Sequence, residues 1–225
     1  MEYKTYDLLR ASLGQSVADV KKVLDSGIGI NSCDEPGRET ALMVAAGGGN
    51  LEVVTFLVES GANINQKSGE GSTAIMPAIL KEHGKVLQYL LSKGAQINYQ
   101  TTSGFKFSPL QLACQLGHTD MARNMIEAGA NVNSVAGDGS TPLISAIFKG
   151  HIDVVKLLLE NGANKNYMVN KMNASGFAEH FGRTSIKEFI DSHISKTPSG
   201  NGCLLFLIAP LVGLLSSLVF LWKAL

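Results

Sequence analysis

Cysteine is scarce in this chain of 225 residues: only Cys33, Cys114 and Cys203 occur. Widely separated and odd in number, they supply neither a disulfide framework nor the paired spacing of a zinc site, which fits a reducing compartment. An excess of charge of either sign is also missing. Nineteen Lys/Arg are matched by nineteen Asp/Glu, so there is no basic field of the kind a general nucleic-acid binder needs to neutralise phosphates. The imbalance is local. Residues 196–225 hold no acid and two lysines, Lys196 and Lys223, which leaves residues 1–195 with a net charge of −2. The N-terminal Met-Glu-Tyr-Lys-Thr-Tyr-Asp carries no apolar core, so no secretory signal is read and most of the chain is expected in the cytosol. There the sequon at Asn173 would go unused. Catalytic signatures are missing as well: no phosphate-binding glycine loop, no Gly-x-Ser-x-Gly and no His-Glu-x-x-His. Gly47-Gly48-Gly49 has no Lys-Ser/Thr after it and reads as a thin helix-to-turn segment. His180 and His193 are isolated, and no histidine has a partner set suited to metal or nucleophilic chemistry. The expectation is a chain that is not an enzyme and needs no cofactor or metal.

What the chain has in abundance is self-similarity, the first thing to seek in a sequence of this length. Glu59-Ser-Gly-Ala-Asn-Ile-Asn65 returns as Ser92-Lys-Gly-Ala-Gln-Ile-Asn98, Glu127-Ala-Gly-Ala-Asn-Val-Asn133 and Glu160-Asn-Gly-Ala-Asn-Lys-Asn166, with a looser copy at Asp25–Asn31. The repeat glycines Gly27, Gly61, Gly94, Gly129 and Gly162 are 34, 33, 35 and 33 residues apart. Each full unit opens on a small hydroxyl residue, Thr40, Thr73, Ser108 or Thr141, always 21 residues before its glycine. A fixed pair of helices joined by loops of variable length produces this pattern. In Thr141-Pro142-Leu143 the hydroxyl can cap a helix and proline suits its first turn. The glycine after each Leu-rich run suits a left-handed helix terminus. Val154, Val155 and Leu157 to Leu159 supply an apolar second helix that only stacked neighbours can bury.

These residues resemble the ankyrin family. Its pattern of Gly-x-Thr-Pro-Leu-His-x-Ala-Ala, Gly-His, Val-Val-x-Leu-Leu-Leu and Gly-Ala is matched closely by Gly139–Ile147, Gly150-His151, Val154-Val155, Leu157–Leu159 and Gly162-Ala163. Thr40–Ala46 and Pro109–Cys114 match with substitutions. The resemblance spans roughly residues 3–195 and implies an all-α solenoid of helix pairs joined by β-hairpin loops. It is divided as a capping unit 3–33, full units 34–66, 67–99, 100–134 and 135–167, and a degenerate cap 168–195. It also implies that His83, His118 and His151, at the Gly-His position, are structural, tying the helix pair to the loop. The family is specific for fold and silent about ligand.

A linker, 196–202, leads into Cys203–Trp222, twenty residues without a charge, thirteen of them Leu, Ile, Val or Phe. As a helix this run would cover roughly 30 Å, the thickness of a bilayer core, so 203–222 is expected to be one transmembrane helix. The competing reading is a buried core helix. So near the terminus, the span implies tail-anchored insertion with the repeats facing the cytosol, in endoplasmic reticulum or other secretory membranes in preference to mitochondria. Ala209, Gly213 and Ser217 form a small-residue ridge through which two spans could associate.

Ankyrin ligands typically bind a concave face made by the hairpin tips and first helices. Counting four, seven and eight residues from each opening hydroxyl gives its exposed positions. Among them Leu80, Leu112, Leu116 and Phe148 would form one apolar strip, with Lys81 and Lys149 beside it; an exposed apolar patch of this kind marks a binding site. The alternative is that these side chains enter the core between units. The third hairpin, Thr101–Ser108, carries two extra residues and two aromatics, Phe105 and Phe107, which either project for recognition or tuck under the finger. The expected partner is a protein segment, apolar or amphipathic with some acidic character. Three functional readings follow: a membrane-tethered adaptor, a regulatory subunit of a membrane complex that also packs through its span, and a pathogen effector at host membranes.

Overall fold

The computed structural model describes residues 4–14, 16–33, 39–102, 104 and 106–193. The linker 196–202 and the expected span 203–222, with its ridge residues Ala209, Gly213 and Ser217, lie outside the described residues. Among the described residues no helix is long and apolar enough to cross a membrane.

Twelve helices occur among the described residues, in six pairs: α1 Thr5–Leu13 and α2 Val17–Leu24, α3 Ala41–Gly48 and α4 Leu51–Glu59, α5 Ile75–Leu80 and α6 Gly84–Ser92, α7 Pro109–Leu116 and α8 Thr119–Glu127, α9 Pro142–Lys149 and α10 Ile152–Glu160, α11 Ala174–His180 and α12 Thr184–Ser192. The first helices of successive pairs pack on one another as an inner layer and the second helices as an outer layer. None of these twelve helices exceeds nine residues, too few to be stable alone in water, so the stack itself supplies the stability. One continuous apolar core runs through it, from Leu8 to Ile190.

Local chemistry sets the length of each helix. Thr40, Ser108 and Thr141 accept a hydrogen bond from the backbone N–H three residues on, as N-caps do. Thr73 departs from this pattern. Its Oγ1 is paired with the Tyr99 hydroxyl at 2.9 Å, and α5 begins two residues later, at Ile75. Pro77 then falls within the first turn of α5, where its missing N–H has no intrahelical partner to lose. The outer helices α4, α6, α8 and α10 end in the Gly-Ala doublet. The glycines Gly61, Gly94, Gly129 and Gly162 adopt φ between +85° and +93°. The N–H of the following alanine returns to the carbonyl five residues back, as in Ala62 to Leu57 at 2.9 Å and Ala130 to Met125 at 2.9 Å. This is a Schellman closure with a small buried residue after the turn.

The inner helices close in the same way, and the residue that completes the closure also starts the outer helix. His83, His118, His151 and Arg183 donate their N–H to Ala78, Ala113, Ala146 and Ala178 at 2.7–3.0 Å. Their side chains then reach outward. His83 Nε2 donates to the Gly47 carbonyl at 3.0 Å, His151 Nε2 to Gln115 at 3.1 Å and Arg183 Nη2 to Phe148 at 3.0 Å. Asn50 makes the equivalent bond to Gly14 at 3.2 Å. The histidine therefore ties its unit to the first helix of the preceding unit, where the family resemblance implied a bond to the loop. The ring needs room to lie there. A Cβ on Gly49 would come within 2.4 Å of the His83 ring, and one on Gly117 within 2.6 Å of the His151 ring. His118 is the exception. In the preceding unit Glu82 stands where Gly49 and Gly117 lie beneath the other rings, at φ +60°, and its Cβ takes the space the ring would use. The His118 ring instead stands 3.6 Å from the Glu82 carboxylate.

A second ladder runs along the loops. Asn31, Asn65, Asn98 and Asn133 each accept, through Oδ1, a backbone N–H of the next unit, that of Asn63, Gln96, Asn131 and Asn164 respectively, all at 2.8 Å. Lys165 breaks the Ile/Val pattern between the asparagines of the last copy. Its ammonium caps the end of α12 through the Ile190 and His193 carbonyls. The connecting fingers are thinner than the β-hairpins expected. Among the described residues the only bridges are Cys33 with Thr40 and Val169 with Met172. The fingers are held by single turns such as Ala136 N–H to the Ser140 carbonyl at 2.8 Å.

The stacking tie makes opposite predictions at two equivalent positions. Gly117→Ala combines a left-handed backbone with a blocked His151 ring and should destabilise by about 2 kcal/mol or more. Glu82→Gly removes the strain and clears the His118 ring, and should stabilise by about 1 kcal/mol. Urea unfolding followed by circular dichroism measures both.

Candidate binding groove

On the side where the fingers meet the inner helices, the register position seven residues after each opening hydroxyl holds Gly47, Leu80, Gln115 and Phe148, and the next holds Gly48, Lys81, Leu116 and Lys149. Leu80, Leu116 and Phe148 are 56%, 36% and 45% exposed. Lys81 and Lys149 are exposed, Leu112 and Phe107 are half-buried, and Ser145 is buried. Phe105 lies outside the described residues.

The structure gathers these residues into two hollows in place of one strip. The first, of about 430 Å³, has a floor of Met43, Met76, Pro77, Leu80 and Leu112, with Glu39 and Glu70 on its finger side. The second, of about 320 Å³, is walled by Phe107, Phe148, Phe177 and Phe181 over Ile144, with Asp138 on its finger side. Leu116, Lys81 and Lys149 line neither hollow. The strip divides because Leu80 and Phe148 share a register row with Gln115, whereas Leu116 belongs to the lysine row.

Aromatic packing shapes the second hollow. The Phe148 and Phe181 rings meet edge to face at 4.9 Å, Phe181 stacks with Phe177 at 6.1 Å, and the Lys149 ammonium lies 5.3 Å from the centre of the Phe148 ring. Phe177 and Phe181 escape a register count that looks for a hydroxyl opener, since the last unit opens on Asn173. Asn173 caps α11 in the same way, accepting the Gly176 N–H at 2.9 Å. Counted from Asn173, the four- and eight-residue positions are Phe177 and Phe181.

Polar side chains beneath the groove hold the fingers. Gln111, fully buried, accepts the Ser108 N–H at 3.2 Å and donates to the Ser140 carbonyl at 2.9 Å. Tyr99 braces the second finger through Thr73, and burial raises its phenol pKa against the lowering effect of those bonds. Cys114 is wholly buried, and burial pushes its thiol far above the usual range, so it is no nucleophile. Among the described residues no three His, Cys, Asp or Glu side chains cluster as a metal site would require.

A family model described as ankyrin repeats (three copies) matches residues 8–101 and 98–169. The chain belongs to the ankyrin-repeat family. A similar solved structure is a chain from the complex of the Bd0816 predatory endopeptidase of Bdellovibrio bacteriovorus with the immunity protein Bd3460. It is 24% identical, with a TM-score of 0.77, over 85% of this chain and 100% of that chain. That likeness bears on the ankyrin fold alone.

In this ankyrin stack the wall of the second hollow depends on how α11 sits against α9, and Arg183 sets that fit. Arg183→Ala should destabilise by about 1 kcal/mol through loss of the bond to Phe148. Arg183→His, which restores the side chain found at His83 and His151, should recover most of it; thermal unfolding of the three proteins is the check.

Proposed function

We propose that the chain is a membrane-tethered protein-binding module that holds its partner on the concave face, with no catalytic role. Ankyrin repeats serve protein–protein interaction, and the similar solved chain comes from a complex of two proteins. The observation that carries the site is the pair of hollows with apolar floors. Leu80 and Phe148 keep about half their surface in water, a poor arrangement for stability and a good one for a partner.

Tethering rests on the sequence of 203–222: twenty residues without charge, long enough for a bilayer core. The repeats would then work at the cytosolic face, with secretory membranes preferred over mitochondria. The spacing of Ala209, Gly213 and Ser217 favours a second reading, a subunit that also packs through its span. Replacing 203–222 with an unrelated apolar helix separates the two: an adaptor keeps its function and a subunit loses it.

The site is tested by affinity capture from detergent-solubilised membranes with mass spectrometry, comparing the intact chain with a Leu80→Glu, Leu116→Glu, Phe148→Glu variant. Charge at these exposed positions should leave the circular dichroism spectrum unchanged. A partner lost only from the variant is the expected result. The same partners in both samples would move the site away from the concave face.

A further inference from the structure

The two hollows share one chemistry. Each has an apolar floor from the inner helices and carboxylate on the finger side: Glu39 and Glu70 in the first, Asp138 in the second. Glu70 and Asp138 are exposed, and neither belongs to any of the three ion pairs among the described residues. Asp138 uses Oδ1 to accept the Ser140 N–H at 2.9 Å, the bond that folds its own finger. The intervening finger carries the opposite sign, Lys106, also exposed. The basic residues Lys81 and Lys149, at the C-terminal ends of the inner helices, line neither hollow, and the Lys149 ammonium already lies against the Phe148 ring. Within the lining of the hollows the finger-side charge is negative, and Lys106 stands between them; Lys67, on the first of these fingers, lies over the Tyr99 ring, and Lys171 follows the second hollow.

We infer that the partner presents an extended peptide segment with two bulky apolar residues, each next to an arginine or lysine, and no basic residue midway between them. This rests on the concave-face reading and specifies its ligand. The apolar side chains fill the hollows and the cations meet Glu70 and Asp138. Arginine is the better fit at the second hollow, because a guanidinium can pair with a carboxylate while stacking on a phenylalanine ring. The spacing follows from the stack. Neighbouring inner helices pack roughly 10 Å apart, so carboxylates two units apart stand roughly 20 Å from each other, about six residues of extended chain.

The probe is a random dodecapeptide display library panned on the full chain in detergent micelles. The enriched consensus is then synthesised with a fluorescein label, and its binding is followed by anisotropy. The consensus should show two apolar–basic pairs five to seven residues apart. Glu70→Gln and Asp138→Asn remove charge while keeping shape and, at 138, the turn bond. Each should weaken binding about threefold at low salt, the size of an exposed ion pair. Together they should weaken it about tenfold, since distant sites add, and the loss should shrink at high salt. If the consensus binds both charge variants as it binds the natural chain while Phe148→Glu abolishes binding, the inference fails and the concave site stands. If Leu80→Glu and Phe148→Glu also leave binding intact, both fail. An acidic consensus, or none with paired motifs, likewise overturns the inference.

Discussion

The hydrogen bond from the first residue of one unit's outer helix back to a carbonyl at the end of the previous unit's inner helix is the contact on which the rest of the stack depends. The helices are too short to persist singly, and in a linear array stability comes from each unit and its interface with the next. Apolar packing supplies most of that interface but is not directional. The tie is directional: at His83, His151 and Arg183 a ring or guanidinium lies over a glycine whose absent side chain leaves the space. Asn50 makes the same bond with a shorter side chain. What the position requires is a donor of the right reach and, beneath the longer side chains, a residue without a Cβ. Where Glu82 interrupts the pattern, the Asn98 rung still joins the two units. There a non-glycine residue at positive φ stands where the tie would form.

The register of the inner helices explains where the groove lies. Gly47, Leu80, Gln115 and Phe148 each follow a fully buried residue, Ala46, Ile79, Cys114 or Ile147, in the last turn of an inner helix, and themselves stay at the surface. Glycine at positions 47 and 48 is the inexpensive occupant. Leucine at 80 and phenylalanine at 148 are not explained by packing into the core, because the core is complete beneath them with Ile79 and Ile147 fully buried. Apolar side chains left in water over a completed core are what a binding surface is made of.

The sequence made the helix pairs, their register and the left-handed glycines readable, since all follow from residues close in the chain: the opening hydroxyl, the 21-residue interval and the Gly-Ala doublet. It was less open about features that depend on the neighbouring unit. Thr73 looks like any other opener, and only Tyr99, 26 residues later, draws its hydroxyl away from capping. The single apolar strip became two hollows because one polar residue, Gln115, sits in the row shared by Leu80 and Phe148. Ser145, at a position counted as exposed, is covered once α11 packs on α9. Phe177 and Phe181 were hidden by the use of asparagine as a cap where the other units use a hydroxyl. Asparagine and hydroxyl residues are equivalent at that position, so the register could have been carried one unit further.

The last unit therefore has two faces with different work. A terminal repeat must offer water a polar outer surface, and α12 does so with Glu188, Asp191 and Lys187. Asp191 accepts from Ser175 and from Lys187, and those bonds hold its carboxyl below the usual range. The inner helix of the unit carries two phenylalanines. Phe177 is buried in the apolar core and stacks with Phe181, and Phe181 meets Phe148 edge to face. Both also line the second hollow, so under the proposed function a unit that ends the stack would at the same time extend its binding surface.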